Sequence, residues 1–415
     1  MRNFAVQNEK DMKCRFIHIG LMGMAMLSCE RLDNDPRNHV TDETDSISVS
    51  LDEVAEILSA IPFQAVHMQE VHDAVISSSE NGYDEEYMMS DLFSSPGSGV
   101  GENEQTRASA RYQVPVRDLI SEYVKSLYAT KSEGGDDVAE KFLHALENSD
   151  VQIYWPYSEN WDGNTMPVVT FDPGDGSDVN TGYEIIIDGD GVRRIEEVVV
   201  DEDVARKRPV WVVNRNSDSA FTSLEMMRRE DPAWGEGGGN IIIGFPSDRT
   251  KGPAALRSLS LKDFTMKRNY DSWFAGASEF FVKVGAVEDF TAATEAELQL
   301  YDPTVTDFMI VVKRNQVGIP QPFNAVLVSE WTDQLVNCAV MITEDDGGTM
   351  TQWDCSAVVK VNSKSYGFDI SIPFRRRDDI VWRGHLSRRW IEANSNLVGR
   401  FGDLDLTFEV LEYQD

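Results

Sequence analysis

CAVMITEDDGGTMTQWDC, residues 338–355, reads as two β-strands around a tight turn, and it sets the expectation for the C-terminal half of the chain. Asp346-Gly347 is a favoured two-residue hairpin turn because both positions tolerate positive φ. Pairing outward from that turn sets Cys338 opposite Cys355 at a non-hydrogen-bonded position. Cα atoms there approach to about 4.5 Å, within reach of a disulfide. In an oxidising compartment the expectation is a structural Cys338–Cys355 disulfide. Around this hairpin, runs at 280–284, 308–313, 325–329, 366–372 and 404–411 carry strand-like patterning. About eight strands in residues 278–415 predict an antiparallel β-sandwich.

Upstream the periodicity changes. Residues 251–277 read as a mixed connector. Short β runs at 151–155, 168–171, 183–187, 192–200, 210–213 and 240–244 predict a small β domain over 151–250, with Asp188-Gly189-Asp190-Gly191 as a hairpin turn. Before it, Leu51, Val54, Ile57, Leu58 and Ile61 recur at helical spacing behind the Ser50/Glu53 capping-box pattern. Pro115 opens a helix whose face is Val116, Leu119, Ile120, Tyr123, Val124 and Leu127. Residues 49–150 are therefore expected to be helical. The predicted fold class is α+β and multidomain, a helical region followed by two β-rich domains.

The first thirty residues differ from all that follows. Met12-Lys13-Cys14-Arg15 is a short basic start, suggesting initiation at Met12. The apolar run 16–27 is about 12 residues, too short to span a bilayer but suited to a signal-peptide core. It closes in Met26-Leu27-Ser28-Cys29, which resembles the lipobox of bacterial lipoproteins. Met26 and Leu27 depart from the usual Leu and small residue, a looseness similar to that of Bacteroidetes lipoproteins. The resemblance implies a signal peptide over 1–28, cleavage before Cys29, and lipid on that cysteine. Cys14 would leave with the leader. Residues 29–48 are polar and nearly free of apolar side chains, which predicts a flexible tether. Asn269-Tyr270-Asp271-Ser272-Trp273-Phe274-Ala275-Gly276-Ala277-Ser278-Glu279 and Gly402-Asp403-Leu404-Asp405-Leu406 resemble segments of uncharacterised Bacteroidetes cell-envelope lipoproteins. The C-terminal region also loosely resembles calcium- and lipid-binding sandwich domains. These likenesses concern architecture only.

A formal net charge of −33 repels nucleic-acid phosphates, so nucleic acid is excluded as an expected partner. Enzyme signatures are weak. His67 and His72 bracket Glu70, but a spacing of five turns the rings about 140° apart on a helix, so the polar-face reading is preferred to a zinc-protease helix. Pro96-Gly97-Ser98-Gly99 is not a nucleophile elbow, and the Gly-rich loop 235–239 lacks the lysine of a phosphate cradle. Two binding constellations stand out. Tyr154, Trp155, Tyr157 and Trp161 could stack on a glycan, against the alternative of core packing. Asp172, Asp175, Asp178 and Asn180 offer oxygen ligands for calcium, against the alternative of a solvated turn. Arg375, Arg376, Arg377, Arg383, Arg388 and Arg389 form a basic patch expected to pair with Asp378 and Asp379.

These readings converge on an exported lipoprotein of the outer membrane or cell surface, held by its lipid. Its expected role is non-catalytic binding or assembly, with a glycan or an envelope protein as partner. The alternative is a carbohydrate-active hydrolase working through paired carboxylates.

Overall fold

The computed structural model describes residues 48–94, 115–130, 135–187, 193–216, 218–230 and 256–413. The leader, Cys29, the tether to residue 47, the loop at 95–106, the 188–191 turn, the 235–239 loop and the 240–244 strand lie outside them.

The N-terminal half contains α1 (Leu51–Ala60), α2 (Ala65–Glu80), β1 (Glu86–Met88), α3 (Met89–Phe93), α4 (Val116–Ala129) and α5 (Gly135–Glu147). There follow β2 (Val151–Tyr154), β3 (Val168–Phe171), β4 (Val179–Ile187), β5 (Arg193–Asp201), the short α6 (Glu202–Ala205) and β6 (Val210–Arg215). The six strands form one sheet in the order β1-β2-β6-β3-β4-β5, antiparallel except for the β3–β6 pair. The helical region and the first β region are thus one α/β module, because β1 lies inside the helical stretch and pairs with β2.

The apolar run Val210-Trp211-Val212-Val213 shows why the sheet sits where it does. Alternate side chains of a strand point to opposite faces, so an unbroken apolar run needs cover on both. Trp211 and Val213 join Val151, Ile153 and Val169 beneath the helices. Val210 and Val212 join Tyr154 and Val168 on the reverse face, where Trp273 and Phe274 complete the core. Gly182 of β4 is required at that face, since a Cβ there would stand 2.4 Å from Val200 Cγ2 and 2.7 Å from Val168 Cγ1.

After α7 (Leu224–Glu230) the chain enters the C-terminal strands. These are β7 (Leu256–Met266), β8 (Ser278–Ala286), β9 (Thr304–Val312), β10 (Gln321–Trp331), β11 (Leu335–Glu344), β12 (Met350–Val361), β13 (Lys364–Arg375), β14 (Asp379–Ser387), then α8 (Arg388–Asn394), β15 (Val398–Phe401) and β16 (Leu404–Tyr413). One sheet runs β10-β7-β16-β15 and the other β13-β12-β11-β8-β9, with β14 also on β11. Their inner faces share one core, in which Leu259, Phe264, Phe323 and Phe408 meet Phe280, Val282, Val340 and Ile342. All pairings are antiparallel, as a sandwich requires. β7 falls within the expected connector 251–277, so the sandwich begins earlier than the sequence reading placed it.

The expected Cys338–Cys355 hairpin is overturned. β11 and β12 pair only at Leu335↔Val359 and Asn337↔Val358. Beyond Asn337, β14 takes that edge of β11, setting Cys338 opposite Leu386. β12 instead pairs along its whole length with β13, setting Cys355 opposite Ile370. The 344–350 segment is therefore an arch between diverging strands, and both cysteines are free thiols. Burial pushes the Cys338 thiol up to about 12 and the Cys355 thiol to about 11, so both stay protonated and unreactive. Alkylation after denaturation without reductant should modify both residues, as read by peptide mass spectrometry. Recovery of a linked 338/355 peptide would contradict the strand register described here.

Candidate functional site

The segment 270–279 joins the two layers and shapes the site. Its fixing groups are buried and polar. Asp84, in the loop before β1, accepts from Glu85 N at 2.7 Å and from Ala277 N at 2.9 Å. Asn214 of β6 donates Nδ2 to the carbonyls of Phe274 and Ala275 at 3.0 and 2.7 Å. Trp273 Nε1 donates to Asp178 O at 2.9 Å, and Arg314 reaches Asp271 O at 3.0 Å. Gly276 has φ of +129°, and a Cβ there would lie 2.7 Å from Asp84 Oδ2. Glycine is required on both counts.

Against this segment opens a cleft of about 500 Å³. Asp84, Glu86, Asp150, Asp172 and Asp218 line it from the α/β module, and Asp271, Glu279, Asp345 and Asp346 from the connector and sandwich. Arg215 and Arg377 are its cationic lining residues, and Arg215 pairs with Asp150. The floor is an ordered polar network. Asn216 Nδ2 donates to Glu86 Oε2 at 2.7 Å and to Gln152 Oε1 at 3.1 Å, and its Oδ1 accepts from Asp218 N at 3.0 Å. On the sandwich side, Arg375 holds Asp345 through both carboxylate oxygens at 3.1 and 2.9 Å.

Carboxylates outnumber their counter-charges here, and the protonation equilibria reflect it. Burial, then contact with Asp271 and repulsion from Asp271, Asp346 and Asp379, raises Glu344 far above the carboxylate range. Burial chiefly raises Asp271, Asp84 and Glu279 as well. Asp346 and Asp378 are each pushed to about 6, by burial first and then, for Asp346, by neighbouring carboxylates. Carboxylate oxygens of Asp271, Glu344 and Asp346 all lie within 4.8 Å of one another.

The expected site residues are dispersed. Tyr154 and Trp155 are core residues, buried on opposite faces of the first sheet. Tyr157 donates to Glu202 at 2.6 Å, and Trp161 packs on Trp155 with its Nε1 bonded to Thr165 O. The exposed stacking platform is therefore corrected to a packing cluster, because the β2 strand needs cover on both faces. Of the acidic loop, Asp172 lines the cleft. Asp172 and Asp175 cap turns through Gly174 N and Ser177 N, and Asn180 bonds Phe171 O and Thr181 N. Asp178 contributes its carbonyl to Trp273, and the four do not form one ligand set. His67 accepts from Gln64 N at the start of α2, His72 bonds Ser158 O, and Glu70 accepts from Val116 N. All three have structural work. In the basic patch, Arg388 pairs with Asp333 and Glu392, Arg375 pairs with Asp345, and the Arg375 backbone N–H donates to Asp378 at 2.8 Å.

The cleft carboxylates come from residues 84 to 346, which no local pattern joins. The one local signal was Glu344-Asp345-Asp346 before two glycines, which the hairpin reading absorbed as a turn. Gly347 and Gly348 do adopt positive φ of 73° and 97°, but in an arch that turns acidic side chains inward. No protein family, curated protein or solved structure matches the chain. Among the described residues, no helix is long and apolar enough to cross a membrane.

Two outcomes follow from this geometry. Gly276→Ala should destabilise the chain by about 1–3 kcal/mol in denaturant titration, since a strained φ and a clash with Asp84 coincide. The pH dependence has a definite sign. Groups whose folded pKa lies above the unfolded value give stability that is complete below the unfolded pKa and is lost as pH rises through the folded one. For Asp346 and Asp378 that window runs from 3.8 to about 6. In chelator, the melting temperature should fall as pH is raised from mild acid through this window. A melting temperature rising across it would show that neighbouring cations stabilise the charged forms of these carboxylates in the folded chain.

Proposed function

We propose that the protein is an exported envelope lipoprotein, anchored through Cys29, whose role is non-catalytic binding or assembly. Its ligand is a basic segment of another envelope protein, received in the acidic cleft. The observation that carries this reading is the cleft lining itself, nine carboxylates against two arginines. A positively charged segment entering it exchanges repulsion for attraction and gains long-range steering. A glycan is the weaker ligand, because the aromatic rings that would stack on it are committed to the core.

The hydrolase alternative gains no support from the best-defined carboxyl pair. Carboxylate oxygens of Asp271 and Glu344 lie within 4.8 Å of each other. Paired glycosidase carboxyls stand roughly 5 Å or more apart, with the glycosidic bond between them.

The anchor is tested by labelled-palmitate incorporation: Cys29→Ala should lose label, keep its leader and change its membrane fractionation. The cleft is tested by calorimetry with an oligolysine peptide. Because the whole chain is acidic, the control must match the charge change. Asp172→Asn with Asp218→Asn should weaken binding about tenfold or more. Glu196→Gln with Glu197→Gln, both exposed on the edge strand β5, should leave it nearly unchanged. Equal losses in the two pairs would mean diffuse attraction and remove the cleft as the site.

A further inference from the structure

We infer that one end of the cleft is a divalent-cation site, with calcium as the fitting ion and Asp271, Glu344 and Asp346 as its protein ligands. The inference rests on reading the cleft as a binding site, and specifies what holds its sandwich wall in place.

The three residues arrive from separate parts of the fold. Asp271 lies in the connector, whose path is fixed by Arg314 at its carbonyl and by Trp273 and Phe274 in the core. Glu344 ends β11, paired with Phe280 of β8 on one side and Asp379 of β14 on the other. Asp346 stands two residues on, in the arch, exposed toward the cleft. Their carboxylate oxygens come within 4.8 Å of each other. Opposite ligands of one calcium ion, at about 2.4 Å each, span the same distance.

An independent observation points to a ligand. Glu344 is 1% exposed, yet its Oε1 has no hydrogen-bond partner, and Asp271 Oδ2 has none either. The two carboxyl groups face each other, with oxygens within 4.8 Å. As carboxylates neither can donate, so their approach requires a proton or a cation between them. A proton satisfies that single pair and leaves the orphaned lone pairs and Asp346 unserved. A divalent cation takes an oxygen from all three carboxylates at once. The neighbouring guanidiniums do not serve: Arg314 bonds Glu202 and the Asp271 carbonyl, and Arg375 holds Asp345.

The donor chemistry selects the ion. All three ligands are hard carboxylate oxygens, with no imidazole or thiolate, which suits calcium or magnesium over zinc or copper. Calcium tolerates the mixed geometry of a buried, a half-buried and an exposed carboxylate, with water filling the open side. Magnesium demands a near-ideal octahedron. Bound there, the ion ties the connector to the end of β11 and to the arch, so the acidic wall keeps its shape instead of repelling itself apart.

The test uses the full chain, purified in detergent and stripped with chelator, titrated with calcium chloride and separately with magnesium chloride. Calcium should bind one-to-one with Kd between about 10⁻⁶ and 10⁻³ M, tighter than magnesium, and raise the melting temperature. Asp346→Asn, an exposed change that leaves the core intact, should weaken calcium binding about tenfold or more. Glu344→Gln should abolish it while melting no lower than wild type in chelator, because its amide can donate to Asp271. Asp175→Asn, in the turn expected from sequence to hold calcium, should change nothing. Absence of calcium binding to about 5 mM, above the weakest extracellular modules, would overturn the assignment. So would wild-type affinity in Asp346→Asn, or a magnesium preference as to the ion. Oligolysine binding is measured apart from the metal: its loss with calcium binding intact sinks the basic-ligand reading alone.

Discussion

A buried carboxylate, Asp84, is the interaction on which the arrangement of this molecule depends. It holds its own loop through Glu85 N and the distant connector through Ala277 N. Burial alone would push such a group toward its neutral form, and Lys313 and Arg314 act against that. Asn214 doubles the grip by taking two further connector carbonyls. Hydrogen bonds of this kind contribute little net energy when made but cost much if one partner is lost in a dry site. They therefore specify one docking of connector on sheet, while Trp273 and Phe274 supply the apolar area that stabilises it.

That docking explains the first sheet. A six-stranded sheet with helices on one face leaves the other wet, and β6 is apolar on both faces, with Val168 and Tyr154 beside it on the second. The connector supplies the missing layer. Arg314 extends the same joint, bonding Asp271 O and Glu202, which in turn accepts from Tyr157. Burial tends to raise Glu202, but its bonds to Arg314 and Tyr157 outweigh this and hold it near 2. One end of the joint is thus electrostatically satisfied. The other end, at Asp271, Glu344 and Asp346, is not, and the contrast within one segment marks the cleft as the place where something else is received.

Stability and function pull in opposite directions at that end. A self-repelling wall weakens the fold at neutral pH, and a fold selected for stability alone would fill it with apolar side chains. Its retention alongside a well-paired polar floor of Asn216, Gln152 and Glu86 is what a binding surface looks like when the partner brings the opposite charge.

Much of the local structure was legible in the sequence because it follows from short-range periodicity. The helical faces of α1 and α4, the strands at 168–171 and 210–213, and the antiparallel character of the last third all came from local periodicity, capping and turn signals. So did the demotion of the His67–His72 pair, since five residues separate two rings on any helix. What misled was partner choice. Asp346-Gly347 carries every local mark of a hairpin, yet β14 competes for the edge of β11 and wins over most of its length. β14 escaped notice because a half-exposed, charge-rich strand alternates weakly, and β7, although largely buried, because Ser258, Ser260 and Thr265 interrupt its apolar pattern. The cleft was equally invisible. Its carboxylates are scattered from Asp84 to Asp346, and charge does not announce direction along a chain. The sequence by itself determined which segments are helix and strand and which faces must be buried. Only the tertiary structure decided which strands meet and which acids are forced together, because hydrogen-bonded edges and buried charges take their partners from distant parts of the chain.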